Sequence, residues 1–201
     1  TAAGISRGSI GVSNGKIAMI TKETNNLPAA KKIIDARGRY VFPGFIDAHV
    51  HMWDPGDSGR DSWYYATRAA AAGGISTVIE HPLSVPPVKN IEALDLKKKS
   101  AKEKSCIDYA LWGAIVPDNL GNLEEMYNAG CVAFKGFISY CNPDYPHIAD
   151  PVLYEALKLS AEKGFLLAVH AENADMVEAG ERKMRDAGRT DPMSHLESRE
   201  S

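Results

Sequence analysis

The sequence contains little cysteine and no long apolar run. Its three cysteines, Cys106, Cys131 and Cys141, are odd in number and widely spaced. This pattern argues against a disulfide framework and favours reduced thiols in a cytoplasmic protein. We expect Cys106 and Cys131 to pack in the core, because both lie in apolar runs. No apolar run approaches the roughly 20 residues that cross a bilayer, so we expect no membrane partner.

The chain also lacks a strong excess of charge of either sign. The net charge is −3 and no basic stripe is present, so we expect no nucleic-acid partner. The first residues do not have the pattern of a secretory signal. Residue 1 is not methionine, and residues 195–201 have the pattern of a helix that is just beginning. We therefore expect the chain to be truncated at both ends.

Residues 1–42 have the pattern of a small β module. Two apolar runs, 8–12 and 16–20, flank Ser13-Asn14-Gly15. This arrangement predicts a hairpin, because Asn-Gly suits the turn that joins two such strands. Residues 32–35 and 39–42 predict further strands. No catalytic constellation occurs here, which favours a structural role.

After Pro43, strand-like apolar runs alternate with helical patterns. Strands are predicted at 44–49, 75–80, 107–116, 131–134 and 164–170. Helices are predicted at 62–72, 89–104, 123–129, 151–163 and 173–187. Asp150 is the predicted N-cap of the fourth helix, and the lysines of the second helix are predicted to form a solvated face. The alternation predicts a parallel sheet, either doubly wound or closed into a (β/α)8 barrel.

Ionisable residues stand at the ends of three of these strands. His49 and His51 close the first strand and share one face of it if it is extended. Lys135 closes the fourth strand and His170 the fifth. Because a barrel keeps its chemistry at the carboxyl ends of its strands, we expect these side chains to converge. Imidazole is a common metal ligand; the alternatives are a chance His-x-His and a lysine that reaches solvent.

Lys135 is the only charged residue in the apolar run 131–138. A buried and unpaired ammonium is costly, so it must pair, lose its proton or be modified. A neutral amine can take up carbon dioxide, and the resulting carbamate can bridge two metal ions that activate water and polarise a carbonyl.

The segments PGFIDAHVH (residues 43–51), AFKGF around Lys135 and AVHAEN around His170 resemble the cyclic amidohydrolases. This family includes allantoinase, dihydropyrimidinase (hydantoinase) and dihydroorotase. The resemblance covers nearly the whole chain and implies an α/β fold, a TIM-like (β/α)8 barrel flanked by a β-sandwich. Residues 1–42 would be part of the sandwich, and residues 43–201 the first part of the barrel.

The resemblance also implies two divalent metal ions, with zinc favoured and manganese, cobalt or iron as alternatives. His49 and His51 would bind the more buried ion, carboxylated Lys135 would bridge both, and His170 would bind the second. The family uses a further histidine and an aspartate from later strands, which have no match in this chain. We therefore expect the chain alone to be inactive. The resemblance suggests a homodimer or homotetramer.

Three other residues bear on the substrate. Trp53 stands where a dihydroorotase has an arginine, which disfavours that activity. Tyr140 follows Lys135 by five residues, the spacing of the hydantoinase tyrosine that stabilises the tetrahedral intermediate; the alternative is a packing or rim residue. His81, just after the second barrel strand, is a candidate pocket residue.

The stretches 54–56, 63–77 and 80–83 resemble allantoinase most closely. The sequence therefore predicts a metal-dependent enzyme of purine catabolism that hydrolyses a C–N bond of a small cyclic amide or ureide, with allantoin, opened to allantoate, as first choice. A hydantoin or dihydropyrimidine is the second choice. Two alternatives are not enzymes: a non-catalytic scaffold that keeps the barrel, and an α/β binding protein with incidental histidines.

Overall fold

The computed structural model describes residues 4–199, which divide into two compact units between Val41 and Phe42. In the first unit, β1 (Ser9–Ser13) and β2 (Lys16–Thr21) form an antiparallel hairpin. Asn14 and Gly15 have φ values of 51° and 72°, the left-handed pair that a type I′ turn requires. The predicted hairpin is confirmed.

The prediction of two further strands before Pro43 is wrong. Residues 32–35 and 39–42 belong to no strand. A strand needs ladder hydrogen bonds to a neighbouring strand, and residue preference does not supply that neighbour. Between the two segments, Arg37 has φ 51° and its backbone N–H donates to Asp35 Oδ1 at 2.8 Å, so the chain turns here without forming a ladder.

The second unit contains a five-stranded parallel sheet. Its strands are β3 (Phe45–Val50), β4 (Ile75–Glu80), β5 (Asp108–Ala114), β6 (Cys131–Phe137) and β7 (Leu166–His170). The strands lie side by side in the order of the sequence, from β3 to β7. A doubly wound sheet reverses its strand order at a switch point, whereas a barrel wall does not. The predicted α/β class and partial barrel are confirmed.

Six α-helices connect or follow these strands in the described part of the chain. They are α1 (Trp63–Ala72), α2 (Ile91–Lys104), α3 (Leu123–Asn128), α4 (Asp150–Lys163), α5 (Ala174–Asp186) and α6 (Pro192–Glu197). A 3₁₀ turn (Leu120–Asn122) precedes α3. No helix within residues 4–199 is long and apolar enough to cross a membrane.

Two predicted helix starts are corrected. Asp150 is the first residue of α4, and Ala149 occupies the N-cap without a side-chain bond. Pro151 fixes the first turn, where an acidic residue is favourable beside the helix dipole. The last helix begins at Pro192, where the Asp191 side chain caps it, and ends at Glu197; the remainder of the predicted helix, residues 200–201, lies outside the described residues.

The main core of the second unit includes residues from the sheet and from the helices. Trp63, Leu94 and Phe134 are fully buried there. A second, smaller cluster contains Leu83, Ala114, Phe137 and Tyr145, and we call it the rim cluster. Cys131 is buried as predicted, but Cys106 is exposed. Cys106 lies in the loop before β5, so its apolar neighbours do not place it in the core.

Candidate metal centre

Histidines from two strand ends meet at the carboxyl edge of the sheet. The rings of His49 and His51, at the end of β3, have centroids 5.1 Å apart. His81, the residue after β4, stacks on His49 at 3.9 Å and on Trp112 of β5 at 4.6 Å. Two neighbouring strands therefore contribute to this histidine cluster, as we call His49, His51 and His81, and Trp112 packs against it from a third.

Burial keeps two of these rings neutral. It lowers the pKa of His51 to about 4, with charge on His49 and Lys97 acting in the same direction. It lowers the pKa of His81 to about 3, again assisted by His49. Among the described residues, Nδ1 of His51 and of His81 is buried without a hydrogen-bond partner. A neutral ring with an unpaired nitrogen suits a metal ligand, so His51 and His81 have the donor chemistry of a metal site.

Lys135 lies in β6, level with Ala114 of β5 and Ala168 of β7. The predicted strand end is corrected, because β6 continues to Phe137 through ladder contacts with β7. Lys135 is 7% exposed, and its Nζ lies 5.7 Å from the Phe137 ring centroid. Residues 4–199 give this amine no hydrogen bond or ion pair. Burial lowers the pKa of Lys135, which favours the neutral amine.

Lys135 also influences the histidine cluster, since its charge helps to lower the pKa values of His51 and His81. The amine and the histidines are therefore within electrostatic range of each other.

His170 is the last residue of β7 and is half exposed. Its Nε2 lies 2.6 Å from Glu172 Oε2, and this hydrogen bond lowers the pKa of Glu172. Arg199 Nε approaches the other Glu172 oxygen at 3.4 Å. Sequence reasoning missed Glu172, although it lies in the AVHAEN segment, two residues after His170. Its carboxylate fixes one ring nitrogen of His170.

The predicted ligands fall into two groups. His49 and His51 lie with His81, whereas Lys135 and His170 both lie near Phe137, whose ring centroid is 5.9 Å from that of His170. Within residues 4–199, no three His, Cys, Asp or Glu side chains form a metal-holding group. The backbone therefore brings the ligands to one edge, but these side-chain positions do not enclose an ion.

The predicted substrate residues differ in their surroundings. Trp53 has φ 52°, packs against the rim cluster and carries the Arg60 guanidinium 4.1 Å above its ring. Tyr140 is 72% exposed. Tyr145, which sequence reasoning missed, is buried instead: its hydroxyl accepts the Ser84 backbone N–H at 3.0 Å and donates to a backbone carbonyl.

The prediction of a solvated lysine face on α2 is wrong for Lys97. Lys97 and Glu80, the last residue of β4, form an ion pair with both side chains 0% exposed. Burial raises the pKa of Glu80 and lowers the pKa of Lys97, and the mutual attraction opposes both effects. Helical periodicity classes a lysine as polar and cannot detect a carboxylate that a neighbouring strand brings to it.

Comparison with known proteins agrees with the sequence resemblance to amidohydrolases. A profile of the Amidohydrolase family matches residues 40–201. The allantoinase of Rubrobacter xylanophilus is 40% identical over 192 residues, which cover 94% of this chain and 42% of the relative. The L-hydantoinase of Paenarthrobacter aurescens is 36% identical over 190 residues, covering 94% and 41%.

Solved structures of hydantoinases are similar to this chain in fold. The L-hydantoinase (dihydropyrimidinase) from Arthrobacter aurescens superposes with a TM-score of 0.89 at 35% identity, over 94% of this chain and 42% of that one. A D-hydantoinase gives 0.83 at 33% identity, over 99% and 44%.

The parallel sheet, with ionisable side chains at its carboxyl edge, forms part of a (β/α) barrel. The chain belongs to the amidohydrolase family. The resemblance that the three sequence segments carry is confirmed. The chain spans about 42% of the length of the R. xylanophilus allantoinase, and a similar share of the other relatives named above.

Proposed function

We propose that this chain supplies ligands to the binuclear metal centre of a cyclic amidohydrolase, which opens allantoin to allantoate. The observation that carries the proposal is the buried Nδ1 of His51, which has no hydrogen-bond partner among the described residues, on a ring that burial keeps neutral, next to His49 at the end of a barrel strand. An orphaned buried nitrogen costs free energy unless it has a role, and metal binding provides one.

Four side chains would hold the metal ions. His49 and His51 would hold one ion and His170 the other, and Lys135, once carboxylated by carbon dioxide, would supply oxygen ligands to both. When bound, two divalent ions, zinc first and manganese, cobalt or iron as alternatives, supply Lewis acidity and an activated water. The chain supports this set in two ways. Burial favours the nucleophilic neutral amine of Lys135, and Glu172 holds the ring of His170.

The substrate would lie over the carboxyl edge, beside Trp53, His81 and Tyr140. Relatives named allantoinase, at up to 40% identity, support allantoin as first choice. A hydantoin or dihydropyrimidine is the second choice, which the 0.89 TM-score to an L-hydantoinase supports. Tyr140 is exposed, so a role for its hydroxyl on the developing oxyanion requires its loop to close over the substrate.

The remaining parts of the proposal follow the family. Residues 1–42 are part of a β-sandwich and residues 43–201 the first part of the barrel. The assembly is a homodimer or homotetramer, and the location is cytoplasmic, which three free cysteines suit. The rival from another class is a non-catalytic scaffold with the same barrel.

The test measures metal content and ring opening in a protein that carries this chain together with the later barrel strands of the family. We expect close to two divalent ions per protomer, and hydrolysis of allantoin faster than that of hydantoin or dihydrouracil. Lys135→Arg keeps the charge but cannot form the bridging carbamate, so it should lose both metal and activity. Lys99→Arg, at an exposed position of α2, is the matched control. A metal-free wild type that opens none of the three rings would support the scaffold.

A further inference from the structure

The buried face of α2 is polar at three positions one turn apart. Lys97, Ser100 and Lys104 follow each other at intervals of three and four residues, which places them on one side of the helix. Each contacts a carboxylate from another segment of the chain. Lys97 pairs with Glu80, while Ser100 and Lys104 both contact Asp54.

Both carboxylates hold the segment that follows the metal-ligand strand β3. Glu80 Oε1 accepts the backbone N–H of Met52 at 3.0 Å. Asp54, 2% exposed, accepts from Ser100 Oγ at 2.6 Å and from Lys104 Nζ at 2.8 Å. Met52 and Asp54 alternate in sequence with His51 and Trp53, the residues assigned to the proposed site.

The same contacts fix the end of β4. Lys97 Nζ donates to the backbone carbonyl of His81 at 3.0 Å. The N–H of His81 donates to the Val50 carbonyl at 3.0 Å, so β3 and β4 are joined at the residues that carry the histidine cluster. Lys97 therefore contacts one strand end directly, and it reaches the other through Glu80.

We infer that Glu80, Asp54, Lys97 and Lys104 are positioning residues, which hold the His51–Asp54 segment in the geometry that the metal site requires. The inference rests on the proposed metal centre. Apolar residues at these positions could fill the same space, but they could not supply an acceptor for Met52 N–H or a donor for the His81 carbonyl. A buried ion pair is weak evidence for stability by itself, whereas these particular contacts end on the backbone of Met52, next to His51, and of His81, whose N–H bonds to Val50.

The test measures metal affinity, with a chelator competing for cobalt(II) bound to the full chain. Lys97→Met leaves Glu80 buried without a cation, and affinity should fall by about 10- to 100-fold, the effect expected when a supporting contact of a ligand is lost. Glu80→Gln combined with Lys97→Met keeps an oxygen for Met52 N–H and buries no charge. This double variant should recover the part of the loss that comes from the unpaired Glu80 charge, but not the part that comes from the missing donor to the His81 carbonyl. Lys99→Met, at an exposed position, is the matched control.

Lys104→Met provides a second and milder variant, because Asp54 keeps its bond to Ser100. We expect roughly tenfold weaker cobalt(II) binding, so the inference stays testable if Lys97→Met does not fold. Hydrogen exchange of the Met52 amide gives a readout that needs no metal. Exchange should be slow in the wild type and faster in Lys97→Met, with recovery in the double variant.

The outcomes separate the inference from the proposed function. Folded Lys97→Met and Lys104→Met variants with wild-type cobalt(II) affinity would overturn the inference. A folded wild type that binds no cobalt(II) would overturn the proposed function, while the hydrogen-exchange comparison would still decide whether Glu80 and Lys97 hold the Met52 amide.

Discussion

Lys135→Met should stabilise the metal-free protein while abolishing its metal binding. The Lys135 residue is 7% exposed and its amine has no ionic partner within residues 4–199, so the charged form carries a desolvation cost of about 1–3 kcal/mol. Methionine removes that cost and buries a similar volume. It gives up the cation–π contact with Phe137 at 5.7 Å, worth about 0.5–1 kcal/mol. The net expectation is a gain of about 1–2 kcal/mol in the free energy of unfolding.

The stability difference between Lys135→Met and the wild type should depend on pH. The folded-state pKa of Lys135 is lowered, so the folded protein bears a desolvation cost wherever the amine is charged. That cost disappears as pH rises from the lowered value through the ordinary value of about 10.4. The advantage of Lys135→Met should therefore shrink between pH 7 and pH 10.

Denaturant unfolding of chelator-treated full chain, at a series of pH values, measures both quantities. Lys99→Met, which changes an exposed lysine, should leave stability within about 0.5 kcal/mol of wild type. A Lys135→Met variant that is less stable than wild type, or whose stability advantage is the same at pH 7 and pH 10, would refute the argument. In that case the Lys135 amine would not lower the stability of the metal-free protein.

Three shorter predictions concern other residues of the site. His81→Phe keeps the ring stack but removes a group whose pKa of about 3 lies below its ordinary 6.5. The metal-free wild type should lose ~2 kcal/mol more unfolding free energy than this variant between pH 7 and pH 5, as acid denaturation curves can show. Tyr145→Phe leaves the Ser84 amide without its acceptor and should cost about 1–3 kcal/mol in denaturant unfolding. Tyr140→Phe should not change stability measurably, but steady-state kinetics should show kcat reduced by ~10²-fold if its hydroxyl acts on the oxyanion.

Much of the barrel wall follows from local pattern. The strand at 75–80 is predicted with the bounds that the structure shows. Its apolar run begins after Gly74 and ends before His81-Pro82, so local sequence marks both of its ends. The Asn14-Gly15 turn is likewise local. The positions of His49 and His51 follow from strand alternation alone, since both are at the end of one strand.

What the sequence does not reveal depends on contacts between distant segments. The Glu80–Lys97 pair joins residues from a strand and a helix, and nothing near either residue signals the other. Tyr140 has the spacing of a catalytic tyrosine but is exposed, whereas Tyr145 is buried against Pro82 and Ser84. Spacing in the chain cannot decide which of two loop tyrosines turns inward, because that depends on the rim cluster.

The polar face of α2 has a consequence for the orientation of the helix itself. A shift of one residue in helix register rotates its side chains by about 100°. Such a shift would move Lys97 away from Glu80 and Lys104 away from Asp54, leaving two carboxylates buried without a cation. An apolar helix face can slide or rotate at small cost, but this one cannot. The two ion pairs therefore fix a single rotational setting of α2 against the sheet, at some cost in stability compared with an apolar contact.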